Sequence, residues 1–114
     1  MKKDKTGLLA GTLDLIVLKM LQGGPANGWD ITQRIQLLSE DVLSVNYGSL
    51  YPALHRLERK GWVAAKWEKA SDRNREFKYY RLTAAGRKQL AAETSKWKQL
   101  AAAIGSIMWP VEES

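Results

Sequence analysis

The 114-residue sequence predicts a mainly α-helical fold that carries one small β-hairpin. In its first half, three short rows of apolar residues recur at the spacing of three or four that marks one helical face. Two segments rich in aromatic and β-branched residues follow, with a polar stretch between them. A long amphipathic segment comes last. Three short helices, a two-stranded ribbon and a final helix are together typical of a winged helix-turn-helix.

Turn residues separate the three short helices. The Gly-Gly-Pro run at 23–25 ends the first, the Asn-Gly pair at 27–28 begins the second, and Gly61 ends the third. The apolar rows of the three helices are, in order, Leu9, Leu13, Ile16, Val17 and Met20; Ile31, Ile35 and Leu38; and Leu50, Leu54 and Leu57.

The start of the third helix depends on which residue is its N-cap. With Ser49 as the cap, Pro52 falls in the first turn, where its missing N–H costs no helical hydrogen bond. With Ser44 or Asn46 as the cap, Pro52 removes one helical hydrogen bond, and Gly48 limits the clash of its ring. The sequence leaves both starts open.

The predicted hairpin pairs residues 62–67 with residues 77–82, and the polar residues 68–76 connect them. This hairpin would be the wing of the fold. Thr83 is the expected N-cap of a last helix that runs to about Met108.

Positive charge is concentrated in one third of the chain. The formal net charge is +6, and residues 55–90 hold eleven of the 18 basic residues but four of the 12 acidic ones. Residues 1–54 hold five of each and are therefore neutral. A basic third helix and wing suit a polyanion such as double-stranded DNA. The alternative is a basic face that only keeps the protein soluble.

The face of the third helix opposite its leucine row carries the groups that could bind DNA. His55 and Arg56 are long enough to reach base edges, and the hydroxyls of Ser49 and Tyr51 can donate to phosphates. The wing adds four basic residues suited to the DNA backbone or the minor groove, namely Lys69, Arg73, Arg75 and Lys78. An ordinary solvated face with an aromatic residue packed beside it is the alternative.

The last helix carries an apolar stripe that a small three-helix domain has no obvious room to bury. We therefore expect it to pack on a second copy of the chain in a twofold-symmetric homodimer, with the first helix contributing. Folding back onto its own core is the alternative. The predicted interface comprises Leu9, Leu13, Leu90, Trp97, Leu100, Ile104 and Met108. The chain then divides into a winged helix-turn-helix domain at 1–83, a C-terminal dimerisation helix at 84–109 and an acidic tail at 110–114.

Catalytic, metal-binding and membrane roles find no support in the residues. His55 is the only histidine and there is no cysteine, so we expect no metal, no cofactor and no enzymatic activity. Apolar runs are too short for a membrane span, which with the absent cysteines favours the cytoplasm.

Four segments resemble the PadR family of transcriptional regulators. They are Gly-Thr-Leu-Asp-Leu at 11–15, Gly-Pro at 24–25 ahead of Asn-Gly-Trp at 27–29, Gly-Ser-Leu-Tyr-Pro-Ala-Leu-His-Arg-Leu-Glu at 48–58, and Tyr-Tyr-Arg-Leu-Thr at 79–83. The resemblance implies a bacterial or archaeal winged-helix regulator, usually a repressor, that dimerises through its first and last helices. It also implies DNA contacts from Tyr47, Ser49 and Tyr51, and we add the neighbouring Asn46 to the predicted DNA-binding set.

The resemblance further implies a small hydrophobic or aromatic effector, since similar proteins of this compact kind bind such molecules in a tryptophan-lined groove between subunits. Trp97 and Trp109 are the candidates here, although Trp97 could simply fill the dimer interface. The resulting hypothesis is a homodimeric repressor acting on an inverted-repeat operator. The competing hypothesis is a winged-helix protein-interaction module whose basic wing binds an acidic partner.

Overall fold

Four α-helices and one two-stranded sheet make up the part of the chain that the computed structural model describes, residues 10–69 and 75–111. The helices are α1 (Ala10–Met20), α2 (Gly28–Leu38), α3 (Tyr47–Arg59) and α4 (Ala84–Met108), and the strands are β1 (Val63–Lys69) and β2 (Glu76–Leu82). The strands pair antiparallel, from Val63 opposite Leu82 to Lys69 opposite Glu76. This order confirms the predicted winged helix-turn-helix fold. Leu9 and Arg73 lie outside the described residues.

Side-chain caps fix where α2 and α3 begin. Asn27 accepts a hydrogen bond from the backbone N–H of Asp30 at 2.8 Å, and the Asp30 carboxylate accepts one from the N–H of Asn27 at 3.4 Å. Asn46 caps α3 by accepting from the N–H of Ser49 at 3.0 Å. Of the two predicted starts, the structure therefore has the earlier one, and Pro52 lies inside the helix.

The leucine row of α3 lies at the centre of the core. Leu50, Leu54 and Leu57 are each no more than 1% exposed and pack with apolar residues of α1, α2 and the hairpin. A short antiparallel β-bridge completes the enclosure of this core. Its two residues, Ala26 and Tyr80, exchange two backbone hydrogen bonds of 3.0 and 2.8 Å. Leu38 does not join the core as its spacing predicts, since the last turn of α2 leaves it exposed.

The start of α4 is bound tightly to the base of the hairpin. The Thr83 hydroxyl donates to the carbonyl of Gly61 at 2.6 Å and accepts from the N–H of Gly86 at 3.0 Å. The N–H of Thr83 donates to the carbonyl of Trp62 at 3.1 Å. Gly86 lies so close to that carbonyl that a Cβ at this position would overlap it. The junction therefore requires glycine.

Two residues assigned from sequence to the dimer interface belong instead to the core of one chain. Leu13 is 7% exposed and Leu90 is 3% exposed, so neither offers appreciable surface to a partner. The reason is that α1 and the first turns of α4 pack against the same central core. The other interface candidates in the described residues remain exposed on α4, namely Trp97, Leu100, Ile104 and Met108.

Two classes of feature are absent from residues 10–69 and 75–111. No helix there is both long and apolar enough to cross a membrane. The same residues contain no group of three or more histidine, aspartate or glutamate side chains placed to hold a metal ion.

The close contact at Gly86 predicts a stability difference between two glycines of the same helix. Gly86→Ala should lower the free energy of unfolding by about 2 kcal/mol, because the methyl group meets a fixed backbone carbonyl. Gly105→Ala, where nothing lies within 4 Å of the added methyl, should raise it by about 0.5–1 kcal/mol. Urea unfolding followed by circular dichroism at one protein concentration measures both. Stabilisation by both substitutions would contradict the packing described for the α4 junction.

Candidate nucleic-acid interface

The first two turns of α3 present the predicted DNA-contacting side chains to solvent. Tyr47, Tyr51 and His55 are exposed along one face of the helix, opposite the buried leucines. The rings of Tyr47 and Tyr51 lie 5.5 Å apart between centroids and are tilted by 44°. The Tyr51 hydroxyl lies against Gly28, where an added Cβ would stand only 2.5 Å from the hydroxyl oxygen. The start of α2 therefore positions the tyrosine pair on α3.

The two polar residues at the start of α3 are half-buried. Asn46 uses its side-chain oxygen to cap the helix, and Ser49 donates its backbone N–H to that oxygen. Both thus lie at the end of the helix where backbone N–H groups attract anions. Their position fits a phosphate contact, while the cap itself is structural.

Arg56 forms an ion pair within the protein. Its Nη2 donates to Oδ1 of Asp14 at 2.7 Å, and its Nε donates to Oδ2 at 3.2 Å. This two-bond pair joins α3 to α1 and raises the pKa of Arg56, chiefly through the hydrogen bond to Asp14. A direct contact between Arg56 and a base, as predicted from the sequence, would require both bonds to break.

The basic residues of the wing are not equivalent. Lys69 is exposed at the end of β1, and Arg75 is exposed directly before the start of β2. Lys78 lies 3.7 Å from the carboxylate of Glu58 and 5.5 Å from the ring centre of Tyr80, so part of its charge is balanced within the protein. Arg73 falls outside the described residues.

A groove of about 500 Å³ separates α3 from the hairpin. Two exposed tryptophans line this groove, Trp29 at the start of α2 and Trp67 on β1. Neither was assigned to a site from the sequence. The sequence could have indicated Trp67, because it lies in the predicted strand that pairs with the strand of the basic residue Lys78. Assigning Trp29 to this groove would have required knowing how α2 packs against α3, which a single sequence does not show.

Burial raises the pKa of two tyrosines in this region. Partial burial, followed by the neighbouring Tyr47, raises the pKa of Tyr51. Burial, with smaller contributions from Glu58 and Tyr51, raises the pKa of Tyr80 to about 12. Tyr80 is buried and closes the floor of the groove.

A second, smaller groove of about 270 Å³ runs between α1 and α4. It is lined by Thr12, Leu15, Ile16, Lys19, Thr94 and Trp97. Trp109 is 75% exposed and does not line it. Eleven residues of helix lie between the two tryptophans, a separation of about 18 Å along the axis, so one chain does not bring them into one site.

Comparison with known proteins identifies this arrangement. The family model described as the transcriptional regulator PadR-like family matches residues 17–92, from α1 into α4. The chain belongs to this family. PadR-like proteins are DNA-binding regulators of transcription and not enzymes.

Relatives of this PadR-like protein match most of its length. A PadR-like transcription factor from Bacteroides fragilis is 32% identical, with 86% of this chain and 91% of that chain covered and a TM-score of 0.69. A transcriptional regulator from Clostridium thermocellum is 25% identical, with 84% and 89% covered and a TM-score of 0.75. An uncharacterized protein from Lysinibacillus sphaericus is 27% identical over 108 residues, which are 95% of this chain and 98% of that protein.

The ion pair between α1 and α3 predicts coupled effects on stability. Asp14→Asn and Arg56→Met should each lower the free energy of unfolding by about 1 kcal/mol. The double variant should lower it by less than the sum of the two single effects. A coupling energy of about 0.5–1 kcal/mol is expected from the two-bond, partly buried geometry. Urea unfolding of the four proteins in this double-mutant cycle measures it.

The matched control is the exposed pair of Lys66 and Glu68, whose charged atoms are 3.8 Å apart. Lys66→Met and Glu68→Gln should show a coupling close to zero because solvent screens both groups. Additive effects at Asp14 and Arg56 would mean that the pair does not hold α3 in place.

Proposed function

We propose that this PadR-like protein is a homodimeric repressor that binds an inverted-repeat operator in the cytoplasm. One observation carries the proposal. The exposed face at the start of α3 lies beside a basic hairpin, so a helix and a wing can engage neighbouring parts of one duplex. In this arrangement α3 enters the major groove and the wing follows the adjacent backbone or minor groove.

The contacts divide by chemistry. Ser49, Tyr51 and His55 on α3 supply sequence preference, together with Tyr47 and the helix start at Asn46. The basic groups of the wing supply affinity through phosphates, and these are Lys69, Arg73, Arg75 and Lys78. Arg56 acts indirectly in this proposal, by fixing α3 on α1 through Asp14.

The apolar stripe of α4 supports the homodimer. Trp97, Leu100, Ile104 and Met108 are between 46% and 60% exposed on one helix, a contiguous apolar surface that water-soluble monomers rarely leave open. In the proposed dimer a twofold axis relates the two α3 helices, and entry into successive major grooves requires them to lie about 34–36 Å apart, one turn of DNA. Such a dimer reads the same half-site twice, in opposite directions.

We further propose that a small hydrophobic or aromatic effector binds in the α1–α4 groove beside Trp97. Leu15, Ile16 and Trp97 give this groove an apolar lining, and it adjoins the proposed dimer interface. An effector there would change the spacing of the two α3 helices and with it the affinity for the operator.

DNA binding should be steeply salt-dependent and sequence-selective. In fluorescence anisotropy, a duplex from upstream of the protein's own gene should bind more tightly than a scrambled duplex. If the dimer engages 6–10 phosphates, affinity should fall by about 10³–10⁵ between 50 and 200 mM salt. Lys69→Ala/Arg75→Ala should reduce the salt slope by about one for each phosphate that the variant no longer neutralises.

The control for the wing variant is Lys96→Ala/Lys98→Ala, which removes two exposed charges from α4. This control should leave the salt slope of DNA binding unchanged, because its two lysines lie on α4, which contacts no DNA in this proposal. Equal, weak binding of both duplexes would contradict an operator in the upstream region and favour the acidic protein partner. A flat salt response would contradict the phosphate contacts.

The dimer should depend on the α4 stripe. Leu100→Lys/Ile104→Lys should convert the dimer to a monomer, because two charges would be buried without partners. Leu37→Lys/Leu38→Lys is the control, since these leucines are 77% and 69% exposed on α2 and lie outside the proposed interface. Sedimentation velocity at micromolar concentration distinguishes the species. A dimer that survives the α4 substitutions would place the interface elsewhere.

A further inference from the structure

Two exposed surfaces take no part in the proposed DNA contacts or in the apolar stripe of α4. The first is the acidic turn, which we define as residues 37–42 at the end of α2. Its apolar side chains are between 69% and 77% exposed and are Leu37, Leu38 and Val42. Glu40 and Asp41 are also exposed, and the turn contains no basic residue. Single exposed apolar residues are common on proteins, whereas three within six positions form a patch.

Hydrogen bonds hold the acidic turn in one conformation. The N–H of Asp41 donates to the carbonyl of Gln36 at 2.9 Å, and the Asp41 carboxylate accepts from the Gln36 amide at 3.0 Å. The Ser39 hydroxyl accepts from the N–H of Leu43 at 3.0 Å. Glu40 and Asp41 have φ angles of 52° and 65°, which residues other than glycine rarely adopt. The turn is therefore ordered before any partner arrives, which lowers the entropy lost on binding.

The second surface is the basic junction, where the end of α3 meets the start of α4. We define it as residues 59–62 and 84–88, which include four basic residues and no acidic one. The four are exposed and are Arg59, Lys60, Arg87 and Lys88. The Lys60 ammonium lies 4.8 Å from the centre of the Trp62 ring. The half-buried Trp62 and the exposed Ala84 place apolar surface beside these charges.

The two surfaces are attached to different parts of α1. Arg34, one turn before the acidic turn, donates to the carbonyl of Met20 at 3.0 Å. Arg56, one turn before the basic junction, binds Asp14. Met20 and Asp14 are six residues apart on α1, about 9 Å along the helix axis. No ion pair among the described residues joins the acidic turn to the basic junction, so their charges are free to meet those of another copy.

We propose that the acidic turn of one homodimer binds the basic junction of a second homodimer. Each surface has apolar groups beside its charges, and the two sets of charges have opposite sign. Contact between them removes apolar surface from water and pairs carboxylates with cations. The contact is heterologous, because its two sides differ, so it leaves an unused surface of each kind and association can extend beyond two homodimers.

On DNA this contact makes binding at neighbouring sites cooperative, a consequence that rests on the proposed function. Two homodimers on one duplex have an effective concentration in the millimolar range, so a contact that is weak in free solution becomes significant. Occupation of one site should then raise the affinity at the next by about 5–150-fold. Neither surface includes a side chain that we propose to contact DNA, so both remain accessible on the bound protein.

Charge reversal tests the contact without DNA. Sedimentation velocity of the full-length protein at low salt should show homodimers at low micromolar concentration and larger species at several hundred micromolar. The larger species should diminish as added salt screens the charges. Two variants, Glu40→Lys/Asp41→Asn and Arg87→Glu/Lys88→Glu, should each remain homodimeric at the high concentration. Asparagine tolerates positive φ and glutamates suit a helix start, so both variants should fold, which circular dichroism checks.

An equimolar mixture of the two variants should form the larger species again. In the mixture, the unchanged acidic turn of one variant meets the unchanged basic junction of the other. A wild-type protein that stays homodimeric at several hundred micromolar would overturn the proposal. Larger species in either variant alone, at the wild-type level, would overturn it as well.

A control separates this contact from an effect of net charge. Arg87→Glu/Lys88→Glu brings the net charge of +6 closer to zero, which by itself favours association. Reduced association in this variant therefore reports the basic junction. Lys96→Glu/Lys98→Glu makes the same change of charge at exposed positions outside both surfaces and should associate as the wild type does. Equal association of these two variants would exclude the basic junction as the contact.

Binding to a duplex that carries the upstream sequence twice separates this inference from the proposed function. With the spacing of the copies varied over one helical turn, mobility shifts should show cooperative occupation at a preferred spacing. Glu40→Lys/Asp41→Asn should bind a single copy as tightly as the wild type and lose the cooperativity. Independent occupation of both copies at every spacing would overturn the cooperative role and leave the DNA-binding function intact. Failure to bind either copy would refute the upstream operator, whereas the sedimentation experiment would still decide the contact.

Discussion

Burial of one face of α3 is the constraint on which the rest of the molecule depends. Leu50, Leu54 and Leu57 are almost fully enclosed, and each contributes about 1.5–3 kcal/mol by leaving water. Because a helix is rigid, fixing the leucine row also fixes the direction of the opposite face. The ion pair between Arg56 and Asp14 opposes rotation of the helix about its axis. The face of α3 that we propose to bind DNA is thus oriented by the core.

Most of the fold could be predicted from the sequence because the patterns that determine its helices and strands involve neighbouring residues. Helical spacing, capping residues and the aromatic strands each act within a few residues, so order and approximate ends could be derived. What could not be derived depends on contacts between distant segments. Asp14 lies 42 residues before Arg56, and nothing in either neighbourhood marks the pair. Leu13 and Leu90 were misassigned for the same reason, since an apolar stripe does not say which of its ends is already covered.

The candidate site was partly predictable on the same grounds. The exposed face of α3 follows from its buried face, so Tyr47, Tyr51 and His55 could be placed from periodicity and resemblance. The balance of charge at the site could not be predicted from the sequence. Two of the basic residues predicted to bind DNA face carboxylates within the protein, Arg56 facing Asp14 and Lys78 facing Glu58. In the proposed function, the exposed Lys69 and Arg75 of the hairpin therefore attract phosphate, whereas the start of α3 contributes shape and hydrogen-bonding groups.

The glycine contact at the start of α4 has a consequence for geometry on DNA. Thr83 and Gly86 clamp this helix to the hairpin, and its 25 residues make a rod of about 37 Å. A rotation of roughly 5° at the clamp would move the far end by about 3 Å, close to the rise of one base pair at about 3.4 Å. In the proposed homodimer, the fixed angle at which α4 leaves the hairpin would therefore determine which spacing of half-sites the protein accepts.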